Sequence, residues 1–295
     1  MELLQLQYFL TVARLEHMTE AARSLHVTQS SLSKTIQRLE EDLGVPLFDR
    51  TGRNLRLNEF GSRFLRRAER ALFELDQGKQ EIRDLSSPEH GTIKLAVTNA
   101  STLPNILRDF RKKHPHTQFH VQMLTTQEMV ALLQRGEVDF CLSSPPIQGD
   151  DIECQIVYID PILVAVPKGH RLADRSSVSL TELKDEWFIG VKRGYHTRDL
   201  ADAVCKSAGF APKYVYEGNE PARLSTLVEA GIGIGFIPST AMNPRENIYY
   251  LQVEEHELVR EIALLRHRGR YIPRAAQEFR KVVEEYFRSL SGGNQ

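Results

Sequence analysis

A stretch of hydroxyl, amide and cationic side chains suits the recognition of a polymer that has polar edges and a charged backbone. Its members are Thr28, Gln29, Ser30, Ser33 and Lys34. Gln and Ser can exchange hydrogen bonds with base edges in the major groove of DNA, and Lys can pair with phosphates. We therefore expect these five residues to contact double-stranded DNA.

Two predicted helices position this stretch. Thr19 and Thr28 are each placed to cap one of them, because a Thr hydroxyl can accept a hydrogen bond from a backbone N–H at a helix start. Apolar residues of the second helix recur at spacings of four, three and four and predict a buried face: Leu32, Ile36, Leu39 and Leu43. Small Ala21 and Ala22 allow the close approach of a helix-turn-helix. The alternative to a helix-turn-helix is that these two helices are part of an ordinary helical bundle.

Two short predicted strands follow the second helix and flank an arginine-bearing turn. Gly44 ends the helix, and residues 47–48 and 55–57 form the strands. Guanidinium groups are favoured near the DNA backbone and in the adjacent minor groove. Arg50 and Arg53 are therefore predicted to make such contacts from the wing.

The pattern resembles the winged helix-turn-helix domain of LysR-type transcriptional regulators over residues 1 to about 60. The resemblance is carried by Leu6-Gln7-Tyr8-Phe9, Ala21-Ala22, Leu25-His26-Val27, Gln29, Leu32-Ser33-Lys34, Ile36, Leu39-Glu40, Leu43-Gly44-Val45-Pro46-Leu47-Phe48 and Arg50-Thr51-Gly52-Arg53. It implies DNA contacts at Gln29, Ser30, Ser33, Lys34 and Arg53. Ser30 stands where the family commonly has proline.

The length and composition set the frame for the rest of the chain. A chain of 295 residues exceeds the usual size of one domain, so two or three folding units are expected. The net charge of -1 does not by itself indicate a protein that binds nucleic acid. The local excess of arginine near the wing does indicate one. Three widely spaced cysteines favour a reducing compartment. Without a signal-like start or a long apolar run, the sequence predicts a cytoplasmic protein with no membrane partner.

A long helix is predicted directly after the wing, over residues 59–87. Its apolar and small residues alternate at spacings of four and three: Phe64, Ala68, Ala71, Leu75, Gly78, Ile82 and Leu85. Such a heptad pattern predicts a linker helix that pairs with a second subunit. A homodimer or homotetramer would then present its recognition helices to palindromic half-sites. The alternative is a helix that packs only on its own chain.

Strands alternate with helices from residue 92 onward, which predicts a parallel, doubly wound α/β sheet. We expect residues 1–58 to form the DNA-binding domain, 59–87 the linker and 88–295 an α/β domain of two lobes. The first lobe comprises 88–161 and 267–295, and the second 162–266. By resemblance, this is the family's effector-binding domain, which is akin to periplasmic solute-binding proteins.

A small-molecule effector is expected at turns where strands lead into helices, since helix N-termini favour anions. By similarity to the family, we expect hydroxyl contacts from Ser101, Thr102, Thr126 and Thr197. Three further residues are expected behind them: Asn99, Ser143 and His196. These hydroxyls could instead only cap their helices. The nearby cations Lys192, Arg193 and Arg198 lead us to hypothesise an anionic effector.

Catalysis, cofactor and metal binding find no support in the sequence. The glycine-rich run at 231–235 follows a predicted helix and enters a strand, which is the reverse of a dinucleotide-binding turn. His114, His116 and His120 lack a completing Cys or carboxylate. We expect no metal site, no cofactor and no enzymatic activity.

The sequence thus predicts a LysR-type regulator that binds DNA and responds to a small effector. The alternative is a small-molecule-binding protein or an α/β enzyme. In that case the N-terminal helical domain would serve only for pairing and would have no DNA function.

Overall fold

The computed structural model describes residues 1–51, 54–86, 91–219, 221–242, 247–255 and 257–292. Contacts divide the chain into two compact units, Met1–Ser86 and Ser87–Gln295, and each is described separately. No helix within the described ranges is both long and apolar enough to cross a membrane.

The first unit contains four helices and one hairpin within its described residues. In chain order they are α1 (Leu3–Leu15), α2 (Met18–Ser24), α3 (Gln29–Leu43), β1 (Phe48–Thr51), β2 (Asn54–Leu57) and α4 (Glu59–Ser86). Phe9 is fully buried, with its ring centroid 5.6 Å from that of Phe48 and 5.3 Å from that of Phe64. Leu32, Ile36 and Leu39 are buried in the same cluster, so the predicted apolar face of α3 is its core face.

Capping explains where α2 and α3 begin. The Thr28 hydroxyl accepts a hydrogen bond from the backbone N–H of Ser31 at 3.2 Å, as predicted. Thr19 is not the cap of α2. His17 takes that place, because its Nδ1 accepts from the Glu20 N–H at 3.3 Å, and the Thr19 hydroxyl donates to Gln29 instead. Sequence preferences for Thr at helix starts did not anticipate a histidine in this role.

The first turn of α4 lies close to the chain segment that enters the wing. A Cβ atom on Gly61 would lie 2.1 Å from the carbonyl oxygen of Leu47, so no larger residue fits without a backbone shift. Gly78, farther along the same helix, has nothing within 4 Å of the corresponding position. The two glycines therefore differ in what they contribute to α4.

We expect Gly61→Ala to lower the free energy of unfolding of the first unit by about 1–3 kcal/mol, because the added methyl overlaps a backbone oxygen. Gly78→Ala is the matched control and should raise it by up to about 1 kcal/mol, because Ala favours a helix interior. Urea-dependent hydrogen exchange at α1 and α3 in the full chain measures both effects. Equal protection in the two variants would contradict the close approach.

The second unit alternates strands with helices. Its main elements are β3 (Thr92–Val97), α5 (Leu103–Lys113), β4 (Gln118–Met123), α6 (Thr126–Gln134), β5 (Phe140–Ser143), β6 (Ile152–Pro167), β7 (Ser177–Val178), β8 (Trp187–Val191), α7 (His196–Ser207), β9 (Lys213–Gly218), α8 (Leu224–Glu229), β10 (Gly235–Pro238), β11 (Ile248–Val253), β12 (Val259–His267) and α9 (Arg274–Gly292). Short 3-10 turns lie at Leu180–Leu183, Pro221–Arg223 and Ser239–Ala241.

The sheets of this unit are mixed rather than wholly parallel. The larger has the order β4-β3-β5-β12-β6-β11-β7, with β10 also paired to β6, and β8 and β9 form a separate pair. β3 runs parallel to β4 and β5, as predicted, whereas β10, β11 and β12 run antiparallel to β6. No α-helix intervenes between β10 and β11 or between β11 and β12 in the described residues. Strands that are joined without a crossover helix can pair antiparallel. The spacing of apolar residues in the sequence does not reveal the relative direction of two paired strands.

The long strand β6 changes partner along its length. Residues 152–161 pair with β12, and residues 162–167 pair with β10 and β11. The expected lobe boundary between 161 and 162 falls at this change. β12 pairs with β5 as well as with β6, so it lies beside the strands of the expected first lobe, although residues up to 266 were expected in the second. The expected lobe boundaries stay predictions.

The second unit has two large apolar cores. Phe279 and Phe287 of α9 are fully buried in one of them, against the β3 end of the larger sheet, together with Phe110 of α5. Phe188 of β8 and Phe236 of β10 stack with centroids 5.9 Å apart in the other core. The last helix therefore packs on the sheet formed by the first strands of the unit.

Candidate functional site

The polar side of α3 faces solvent. Gln29, Ser30 and Lys34 are exposed and Ser33 is half-buried, while the apolar side is in the core. The Thr28 hydroxyl lies 3.2 Å from that of Ser30, in addition to capping the helix. The structure thus brings all five predicted recognition residues to the start of one helix.

Cationic groups continue along this face. Lys34 and Arg38 are both exposed, and neither forms a salt bridge with another side chain in the described ranges. The predicted wing is present as an antiparallel hairpin in which Phe48 pairs with Leu57. Arg53 lies outside the described residues, as does the side chain of Arg50. Their predicted DNA contacts stay predictions.

A cavity of about 620 Å³ opens in the second unit, where several strand-to-helix turns meet. Four of the seven predicted effector residues line it: Asn99, Thr126, His196 and Thr197. Ser101, Thr102 and Ser143 do not. The cavity is therefore built from the predicted turns but only partly from the predicted side chains.

Local bonding explains why the other three residues are absent from the wall. Thr102 is buried at the start of α5. The Ser143 hydroxyl is buried and donates to the carbonyl of Pro145 at 2.6 Å. The N–H of Ser101 donates to the Asn99 side chain at 2.8 Å, and its hydroxyl does not line the cavity. A shift of one residue at the end of a strand decides which side chain faces a cavity, and sequence patterns do not resolve that shift.

Ser144 lines the cavity instead of its neighbour. Its N–H donates to the hydroxyl of Thr98 at 3.1 Å, which fixes the turn after β5. Its own hydroxyl oxygen is buried and has no hydrogen-bond partner in the described part of the chain. A buried hydroxyl without a partner is unusual in a folded protein.

Of two neighbouring threonines that line the cavity, Thr125 caps a helix and Thr126 does not. Thr125 caps α6, and its N–H and hydroxyl donate to the carboxylate of Glu128 at 2.8 and 2.7 Å. These hydrogen bonds hold the pKa of Glu128 below its usual value. Thr126 follows the cap and lines the cavity, so capping does not explain its presence there.

Of the three cations that led us to hypothesise an anionic effector, only Arg193 lines the cavity. Arg198 is 4% exposed, donates to Asp202 at 2.9 Å and to the carbonyl of Val191, and lies 3.5 Å above the ring of Tyr214. It also pairs with Glu217. Arg198 therefore joins β8, α7 and β9, and it is a structural residue.

Arg260 of β12 lines the cavity and was missed by sequence analysis. Its Nε donates to the carboxylate of fully buried Asp160 at 2.8 Å, and its Nη2 lies 2.8 Å from the same oxygen. Its Nη1 lies 3.5 Å from the hydroxyl of Thr197. Opposite charges beside apolar residues in two predicted strands were the signal that could have revealed the pair, since such charges are rarely buried alone.

His196 lies at the start of α7 beside this arginine. Burial lowers its pKa from the ordinary value of 6.5, and the positive charge of Arg260 lowers it further, against smaller opposing effects of Asp199 and Glu261. The folded protein thus favours the neutral imidazole. As the pH falls below about 6.5, the unfolded chain binds this proton first, so stability is lost toward the folded pKa.

The pKa of His196 should therefore be below 6.5 when it is measured by NMR titration of the imidazole. Arg260→Gln should raise it, because a nearby positive charge is removed, while burial should still keep it low. Arg193→Gln, at the exposed rim, is the matched control and should change it less. A pKa of His196 that did not respond to Arg260→Gln would contradict this account.

Comparison with known proteins identifies the family. Residues 3–62 match the family described as bacterial regulatory helix-turn-helix protein, lysR family, and residues 86–288 match the LysR substrate binding domain. The chain belongs to the LysR family of transcriptional regulators. This LysR-type chain is a DNA-binding transcriptional regulator with a substrate-binding domain. The family and the fold class predicted from the sequence are confirmed.

Similar proteins extend over nearly the whole LysR-type chain. It is 35% identical over 290 residues to the HTH-type transcriptional regulator YybE of Bacillus subtilis, covering 97% of this chain and 99% of that protein. It is 32% identical to the transcriptional dual regulator GltC of Bacillus subtilis, covering 98% and 99%. A full-length OxyR variant from Pseudomonas aeruginosa has the same fold, with a TM-score of 0.69 at 22% identity over 98% and 95% of the two chains.

Proposed function

We propose that this regulator reads DNA with the exposed polar face of α3, as a dimer joined through α4, and that a small effector binds in the cavity of the second unit. The observation that carries the proposal is the amphipathic α3. Its apolar side is buried in the core of a helix-turn-helix, and its hydroxyl, amide and ammonium groups face solvent.

The DNA interface is proposed to comprise Thr28, Gln29, Ser30, Ser33 and Lys34, with Arg50 and Arg53 from the wing. Gln29 and Ser33 have the side chains best suited to base edges, and Lys34 has the charge suited to a phosphate. The exposure of this end of α3 supports the assignment. Two-residue separation on a helix rotates a side chain by about 160° around the axis, so Ser31 lies away from Ser33.

Gln29→Ala and Ser33→Ala should each weaken specific DNA binding by about 1–3 kcal/mol, because each removes a group that can bond to a base edge. Ser31→Ala is the matched control and should retain more of the affinity. Fluorescence anisotropy with the DNA upstream of the gene, at fixed salt, measures the three affinities. If Gln29→Ala and Ser33→Ala both bind like the unaltered protein, the interface lies elsewhere.

The dimer proposal rests on apolar residues that the single chain leaves exposed on α4. Leu75, Ile82 and Leu85 are 51%, 68% and 77% exposed and lie on one side of the helix with Ala71 and Gly78. Phe64 and Ala68, at the start of the predicted seam, pack in the core of the first unit instead. The paired seam is therefore proposed over residues 71–85, because exposed apolar stripes of this kind are usually covered by a partner.

Ile82→Asp should shift the protein from dimer toward monomer, because a carboxylate would be buried in the seam without a partner. Arg66→Asp introduces the same group on the opposite side of α4 and is the matched control. Sedimentation velocity of the full chain at micromolar concentration reports the mass of each variant. An unchanged mass for Ile82→Asp would place the subunit contact elsewhere.

The effector is proposed to be a small anion that contacts Asn99, Thr126, His196 and Thr197. These residues support the site because they line one cavity together with Arg193 and Arg260. Ser101, Thr102 and Ser143 are left out of the proposed contacts. The cavity volume lies within the range of small-molecule sites in proteins, which is about 300–1,000 Å³.

The cytoplasm is the proposed location, because DNA is the ligand and the three cysteines are free thiols. We further propose that the protein acts by binding rather than by catalysis. An electrophoretic mobility shift with the DNA upstream of the gene separates this proposal from the alternative of a binding protein or enzyme without a DNA function. Absence of any shift at low salt would favour that alternative.

A further inference from the structure

We infer that Arg260 binds a carboxylate group of the effector, and that the effector is a small carboxylic acid with an apolar body. This inference rests on the proposed role of the cavity as the effector site. It goes further by assigning the chemical class of the ligand and the residue that selects it.

The carboxylate of Asp160 fixes one edge of the Arg260 guanidinium. Asp160 is fully buried and accepts hydrogen bonds from the Ser239 hydroxyl at 2.8 Å and from the N–H and hydroxyl of Thr240 at 3.1 and 2.7 Å. It also accepts from Nε of Arg260 at 2.8 Å, while Nη2 lies 2.8 Å from the same oxygen and donates to the Thr240 hydroxyl at 3.1 Å. The aspartate charge is therefore shared among several donors and is not reserved for the arginine.

The Nη1 end of the guanidinium is left for a ligand. Nη2 donates to the hydroxyl of Thr240 at 3.1 Å, whereas Nη1 has only a long contact of 3.5 Å with Thr197 in the described part of the chain, and the residue lines the cavity. A guanidinium offers five N–H donors in a planar fork, which fits the two oxygens of a carboxylate. Because Arg260 is 6% exposed, a ligand there meets a desolvated cation rather than a hydrated one.

Neighbouring hydroxyls extend this subsite. Thr126, Ser144 and Thr197 line the same cavity, and the Ser144 oxygen is without a partner in the described ranges. Hydroxyl groups can donate to the remaining lone pairs of a carboxylate. Glu128 also lines the cavity, but its carboxylate is occupied by the N–H and hydroxyl of Thr125.

The remaining wall is apolar and suggests the rest of the ligand. Its side chains come from β8, α8 and β10: Val191, Leu224, Phe236, Ile237 and Pro238. All five residues are buried. An inorganic oxyanion would leave this wall without contact, whereas a carboxylic acid with an apolar body would cover it. A cation would meet the guanidinium at this end of the cavity.

Matched acids and amides test the inference. Isothermal titration calorimetry of the full-length protein would use 3-phenylpropionate against 3-phenylpropanamide, hexanoate against hexanamide, and inorganic sulfate and phosphate as oxyanions without an apolar body. We expect at least one acid to bind at least tenfold more tightly than its amide and more tightly than either inorganic anion. Equal affinity of every acid and amide, no binding by any acid, or tighter binding of sulfate or phosphate would overturn it.

Variants then assign the selectivity to Arg260. Arg260→Gln should abolish the acid-over-amide preference, but it leaves Asp160 without its cation and the protein could unfold. Arg260→Lys keeps the charge and removes the planar fork, so it should fold and lose most of the preference. Lys192→Gln is the control, because Lys192 is exposed and does not line the cavity, and it should keep the preference. A preference that survives Arg260→Lys undiminished would also overturn the inference.

Each protein is checked in parallel for its mobility shift on DNA. A protein that binds DNA but shows no acid preference disproves the carboxylate site and leaves the regulator standing. A protein that shows the preference but no DNA shift disproves the regulator and leaves the site standing.

Discussion

A fully buried carboxylate, Asp160, constrains the architecture of the second unit. A charge in that position is tolerated only when it is paired and hydrogen-bonded, and removing one member of such a pair typically costs about 3–5 kcal/mol. Asp160 meets this condition through Ser239, Thr240 and Arg260, which come from the turn after β10 and from β12. It lies in β6 next to the place where that strand exchanges β12 for β10 and β11 as partners. The ion pair therefore links β6, β12 and the turn after β10 at the place where β6 changes partner.

The same pair determines the chemistry of the cavity. An arginine that is anchored on one edge presents its remaining donors in a fixed direction, and a fixed donor loses little entropy when a ligand binds. Burial and, after it, the charge of Arg260 lower the pKa of His196. Structure and proposed function thus depend on one interaction, in which the group that satisfies a buried aspartate also faces the ligand.

In the first unit, an apolar core determines the orientation of α3. One side of α3 is buried in a small core that contains Phe9, Leu32 and Ile36. The opposite side of the helix is not needed for packing. Because an α-helix turns by about 100° per residue, burial of one face orients the other without further contacts. The hydroxyl, amide and ammonium groups of that face can therefore serve recognition alone. This close packing requires a glycine at position 61, because the start of α4 lies directly against the carbonyl of Leu47.

The sequence by itself determined the family, the fold class, the helices α1 to α4 and the turns that surround the cavity. These features depend on local signals, such as the spacing of Leu32, Ile36 and Leu39 or the hydroxyl at Thr28, which act within one or two helical turns. Only the tertiary structure decided that β12 pairs with β5, that Ser144 rather than Ser143 lines the cavity, and that Arg198 serves the fold while Arg260 lines the cavity. Each of these depends on a partner far away in the sequence, and Arg260 and Asp160 are 100 residues apart. Periodicity and local propensity carry no information about such a pairing, because it is set by the register of strands that meet only in the folded chain.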